Sequence, residues 1–179
     1  MTRKTKFEDI NHKRRVSKVD SYYGSWEMMW FVRCMMMHGK YGIAYKHFIK
    51  AMDIVIAKTN PANLSEEEKK AYGVELFLKI SNKVRPLAKV TTKRIGGANY
   101  QVPVQVPALL GTRIAYKWIL KHSRKRNGRT YYEKLSAEFL DILEGRGGSL
   151  NERETAHKMA QANLAFGGKS SFFEEEQAS

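Results

Sequence analysis

Apolar residues recur at helical spacing along most of the chain and alternate with polar ones in a single stretch. Ser25 suits the N-cap of a helix through WEMMWFVRCMMM to His38, where HGK makes a break. A second helix is expected through IAYKHFIKAMDIVIAK, closed by Asn60-Pro61. Ser65 with Glu68 forms a capping box that opens a third helix, from Glu66 to about Val84. The acids Glu66, Glu67 and Glu68 suit the positive end of its dipole. Arg85-Pro86 ends it, because the residue before proline avoids the α region.

The period then changes to two. In VTTKRIGGANYQVPVQV, residues 90–106, Tyr100, Val102, Val104 and Val106 are expected on one side and Gln101, Pro103 and Gln105 on the other. Gly96-Gly97 and Asn99 supply turn residues. Pro103 lacks a ladder donor, which an edge strand tolerates. A two-stranded ribbon over about 88–106 follows, marginal alone in water and needing helices or a ligand to lean on.

Helical spacing resumes from Leu109 to Arg126, with Arg113, Lys117, Lys121 and Lys125 on one stripe and Ala115, Trp118, Ile119 and His122 opposite. Asn127-Gly128 ends this helix, and another runs from about Thr130 to Glu144, closed by Gly145. Ser149 with Glu152 reads as a second capping box, opening a last helix that ends near Phe166, before Gly167-Gly168. The expected fold is mainly α, about six helices with a protruding β-hairpin between helices 3 and 4. Residues 1–20 form a basic N-terminal arm, 21–167 a single helical domain and 168–179 a flexible acidic tail. A chain of 179 residues is comfortable for one domain.

Charge changes the picture. Lys and Arg number 32 against 18 Asp and Glu, a formal charge of +14. That surplus calls for a polyanion, either nucleic acid or an anionic membrane surface. Between Glu75 and Glu133 no acid occurs, and thirteen cations do: Lys79, Lys83, Arg85, Lys89, Lys93, Arg94, Arg113, Lys117, Lys121, Arg124, Lys125, Arg126 and Arg129. A solvated face mixes both signs, whereas a block this one-sided repels itself unless a polyanion offsets it. No apolar run approaches the roughly 20 residues of a membrane span. The N-terminal MTRKTKFEDINHKRR lacks the apolar core of a secretory signal, and Glu8 and Asp9 fit a transit peptide poorly. Its Arg3, Lys4, Lys13, Arg14 and Arg15 read as a nucleic-acid-binding arm.

Catalytic readings fail. Cys34, the single cysteine, lies among Met35, Met36 and Met37 and reads as a buried structural residue. The five histidines show no ligand spacing, so no metal or cofactor is expected. Glu133, Glu138, Asp141 and Glu144 are assigned to a solvated helix face. The methionine and aromatic residues at 26–37 suit core or, with less weight, a surface for a neighbouring protein. The chain does not read as an enzyme. RNA-binding candidates are Lys89, Lys93, Arg94, Tyr100, Gln101, Arg113, Lys117, Lys121, Arg124, Lys125 and Arg126, with the arm residues. Two readings of Tyr100 stay open: stacking on a base, or packing inward beside Val102.

Several runs carry a family resemblance: Lys93-Arg94-Ile95-Gly96-Gly97, Tyr100-Gln101-Val102-Pro103 and Val106 in the ribbon; Lys117-Trp118-Ile119 and Arg124-Lys125-Arg126 after it; and Arg153-Glu154, His157, Met159-Ala160, Ala162-Asn163 and Ala165-Phe166 near the end. Weaker matches are Asp20, Tyr23-Gly24-Ser25, Phe31-Val32 and Gly39-Lys40. In these runs the chain resembles the seventh protein of the small ribosomal subunit, in its bacterial and organellar form. The resemblance implies six helices with a ribbon after the third, and binding to the 3′ domain of small-subunit ribosomal RNA to organise the head. It also implies neighbours among head and platform proteins and a ribbon near the exit-site transfer RNA and the messenger path. The chain departs from the family where two arginines usually precede the fourth helix: it has Leu110-Gly111, and Arg113 is expected to compensate in part. The segment KTNPANLSEEEKKAYG is longer than usual, and the tail is acidic. With the methionine-rich first helix, these departures suggest a mitochondrial ribosome and synthesis inside the organelle, with bacterial cytoplasm or plastid as alternatives. A DNA-binding architectural protein and an interaction adaptor are the competing classes.

Overall fold

The computed structural model describes residues 20–59, 65–95 and 97–164. The basic arm with Arg3, Lys4, Lys13, Arg14 and Arg15, together with Asn60-Pro61, Gly96, Phe166 and the tail, lies outside them. Six helices and one hairpin follow in order: α1 Trp26–Met35, α2 Tyr41–Thr59, α3 Glu66–Val84, β1 Ala88–Ile95, β2 Ala98–Gln105, α4 Ala108–Lys125, α5 Tyr131–Leu143 and α6 Gly148–Ala162. The mainly helical fold with a ribbon between the third and fourth helices is the one expected. The chain divides into two compact units, Met1–Lys79 with Gly128–Ser136, and Ile80–Asn127 with Ala137–Ser179. Helices α3 and α5 each begin in the first unit and end in the second.

The first unit is built on apolar side chains of α1, α2 and α3. Asp20 opens it by accepting from the backbone N–H of Tyr22 (3.2 Å) and Tyr23 (2.7 Å). Ser25 then caps α1, its side chain accepting from Met28 N. Phe31, Phe48 and Phe77 meet with ring centroids 5.4–5.6 Å apart, and all three are fully buried with Met28 and Met52. The methionine run is therefore largely core, although Met37 stays 59% exposed. Helix α1 stops at Met35 rather than His38, because the chain reverses through His38 and Gly39 at φ of 52° and 71°. The capping box before α3 forms as expected: Ser65 N donates to Glu68 Oε2 at 2.9 Å, and Glu68 N to Ser65 Oγ at 3.3 Å.

The second unit packs α6 against α4 and both ribbon strands. Its core includes Ile80, Val84, Ala88, Tyr116, Ile119, Phe139 and Ile142. The ribbon is antiparallel with Ala88 opposite Gln105 and Ile95 opposite Ala98, leaving a two-residue loop in which Gly97 takes φ 89°. That conformation suits glycine. The register gives β2 the two sides expected, but burial does not follow them at its base, where Pro103 is buried next to buried Val102. The base of the ribbon is covered on both faces, and alternation of burial needs one wet face.

The expected capping box at Ser149 and Glu152 is not formed. Helix α6 starts two residues earlier, at Gly148 behind Gly147 at φ 116°, with no side-chain cap. Both side chains of the box have other partners. Ser149 Oγ donates to Glu138, and Glu152 takes its bonds from Lys121 and His122. The pattern is right for a cap, but longer-range partners outcompete it.

Candidate nucleic-acid interface

Register decides which ribbon side chains act together. Directly opposite residues in an antiparallel pair project to the same face. Lys93 is opposite Tyr100 and Lys89 opposite Val104, so Lys89, Lys93 and Tyr100 share one face. Arg94 is opposite Asn99 and Thr92 opposite Gln101, so Arg94, Asn99 and Gln101 share the other. Tyr100 thus has one lysine on its face and the arginine behind it. Its ring is 37% exposed, while Val102, two residues along the same face, is 7% exposed. Tyr100 therefore shares the face of Val102 but is the more exposed of the two.

Lys93, Arg94 and Gln101 are exposed and Lys89 is half-buried, nearer the base. The base is pinned by backbone bonds: Val106 N donates to Leu87 O at 2.8 Å, and Leu87 N donates to His157 Nε2 at 3.1 Å. His157, on α6, therefore orients the strand that carries Lys89 and Lys93. Nothing in its local sequence indicated that task. The ribbon tip repeats basic charge on both faces with no acid opposite it, a surface suited to lie between phosphate strands.

The cations of α4 and its C-cap divide in two. Arg113, Lys117, Arg124 and Lys125 are exposed and make no ion pair among the described residues. Lys121 and Arg126 are engaged within the protein. Lys121 Nζ lies 2.7 Å from Glu152 Oε1, and His122 Nε2 lies 2.6 Å from Glu152 Oε2. Burial alone would push the Glu152 carboxyl up, but the bonds from Lys121 and His122 outweigh it and hold it below the usual range. Gly148 makes room for this contact, since a Cβ there would stand 2.2 Å from His122 Nδ1.

Arg126 Nε donates to Glu138 Oε2 at 2.6 Å, and its guanidinium also reaches Asp141. Burial works against the cation, but the bonds from Asp141 and Glu138 raise its affinity for the proton. Glu138 is not on a solvated face as expected. Its side chain is 1% exposed, and its other oxygen accepts from Ser149 N at 3.2 Å and from Ser149 Oγ. A buried carboxylate survives only with this much compensation.

One further cation of the acid-free stretch is used internally. Lys83 Nζ donates to Leu143 O at 2.7 Å, satisfying the carbonyl end of α5. The Arg85 stem lies beside Gly111, where a Cβ would stand 2.8 Å from Arg85 Cγ. The glycine at that position is a packing requirement of α4 against the 85–86 turn. Among the described residues no cluster of His, Cys, Asp or Glu is arranged to hold a metal, and no helix is long and apolar enough to cross a membrane.

Residues 6–164 match the family described as ribosomal protein S7p/S5e. The chain is 36% identical over 156 residues to small ribosomal subunit protein uS7 of Stenotrophomonas maltophilia, covering 87% of this chain and 94% of that one. It is 37% identical over 153 residues to the protein of that name from Gemmatimonas aurantiaca, covering 86% and 92%. Against the Carboxydothermus hydrogenoformans protein it is 39% identical over 147 residues, covering 82% and 88%.

Proposed function

The chain belongs to the ribosomal protein S7p/S5e family, and from that premise we propose that it is a structural constituent of the small ribosomal subunit that holds ribosomal RNA. One observation carries the reading. The acid-free stretch leaves Lys89, Lys93, Arg94, Arg113, Lys117, Arg124 and Lys125 without an ion pair among the described residues, on the ribbon and on α4. Those seven, with Tyr100 and Gln101, are the proposed RNA contacts, and residues 21–167 the RNA-binding domain. Phosphates supply the charge that this surface lacks. Lys121 and Arg126 serve by holding α4 to its neighbours, so their contribution to RNA is secondary. The relatives are named for the ribosome, which favours RNA over the DNA-binding alternative.

The finer placement is the 3′ domain of the small-subunit RNA, in the head, with the ribbon toward the exit-site transfer RNA and the messenger path. The compartment proposed is the mitochondrion, supported by the methionine-rich α1 and by Leu110-Gly111 at the start of α4. The relatives named above are bacterial, which suits the alternative of a bacterial cytoplasm. Ultraviolet crosslinking in native extract, followed by sequencing of the attached nucleic acid, tests all of this. The expected outcome is reads concentrated in the 3′ domain of one small-subunit RNA, whose sequence names the compartment. Reads scattered over DNA or unrelated RNAs would overturn it.

A further inference from the structure

The first unit carries a basic and aromatic grouping of its own, built where α2 meets the start of α5. The His47 ring lies with its centroid 6.0 Å from that of Tyr132, the planes 26° apart, and 6.0 Å from that of Tyr131, edge-on. Lys50 Nζ stands 5.4 Å from the Tyr132 ring centroid. Lys46 lies one helical turn before Lys50, and Arg129 lies two residues before α5; all three are exposed and make no ion pair among the described residues. Two buried polar atoms in this grouping, His47 Nδ1 and Thr130 Oγ1, have no hydrogen-bond partner among the described residues. Both atoms are shielded from solvent, so the contacts available to a ligand are the rings and the cations around them.

We propose that this grouping is a second RNA-contact site, taking a nucleotide of single-stranded ribosomal RNA. The idea rests on the ribosomal-RNA reading above. Tyr132, half-buried beside His47 and Lys50, is the ring proposed to meet a base, while Lys46, Lys50 and Arg129 meet the flanking phosphates. An acidic protein segment would use the cations but has no need of a ring beneath them. Base stacking beside cations is how single strands are held without a fixed sequence.

The test uses the full chain and a transcript of the bacterial small-subunit 3′ domain, with binding followed across a salt titration. The double variant K46Q/K50Q is expected to lower the slope of log Kobs against log salt by about two units. Tyr132→Leu is expected to weaken binding about ten-fold with the slope unchanged, from the loss of one stacked base. Lys46 and Lys50 are exposed, so the double variant remains informative even if Tyr132→Leu fails to fold. A normal slope for K46Q/K50Q, alongside a lowered slope for K93Q/R94Q, overturns this site and leaves the ribosomal-RNA reading standing. A wild-type chain that does not prefer the transcript over duplex DNA overturns both.

Discussion

Arg94 and Arg126 come from the same acid-free stretch and have opposite fates. Arg94 lies exposed near the end of β1, beside exposed Lys93, and meets no carboxylate among the described residues. Arg126 follows the last turn of α4 and is clamped by Glu138 and Asp141. The difference is supplied by α5, which brings its acids to one end of α4. Charge in a sequence therefore divides into a part that builds the fold and a part left over for a partner. Only the second part says what the protein holds.

Breaking the clamp should have the largest effect. Glu138→Ala removes the buried carboxylate and leaves Arg126 with one partner and Ser149 with none from that side. Loss of one member of a buried pair costs about 3–5 kcal/mol, to be read from urea unfolding. Gly148→Ala is next. The added methyl meets the rigid His122 ring, and a loss of about 1–3 kcal/mol is expected despite the better helix propensity of alanine.

A pH series probes the smaller pair. The Glu152 carboxyl is held below its ordinary value, so the stability it contributes is present above the ordinary glutamate range and is lost as pH falls through its folded value. Glu152→Gln should leave unfolding less steeply dependent on pH in that acid window than it is in the wild type. The smallest effect on stability belongs to the ribbon tip. The double variant K93Q/R94Q should change stability by less than about 0.5 kcal/mol, yet lower the salt slope of RNA binding by about two units. A substantial loss of stability in that variant would erase the distinction between tip and clamp.

Much of this division was legible beforehand, for definite reasons. Periodicity and caps are local, so α3 and its box at Ser65 and Glu68 form as expected, and the ends of α4 fall one residue from their expected places. The alternation around Gly96-Gly97 marked the ribbon, and the absence of acids marked its use. The same local logic failed at Ser149 and Glu152, whose pattern is that of a cap but whose partners lie on α5 and α4. Glu138 was assigned to solvent with the other acids of its helix, and the partner that engages it, Arg126, lies twelve residues away. The two faces of the ribbon likewise depended on register, which pairs Lys93 with Tyr100 and turns Arg94 away.

Residue order alone was enough for the helices, the hairpin and the sign of the partner, because each follows from neighbours a few positions apart. Which cations remain available to RNA followed from packing, because an ion pair depends on distance in space and on exclusion of water. Lys121, Arg126 and the His47 grouping all take their meaning from residues that lie far along the chain, brought near by a fold held largely by apolar side chains.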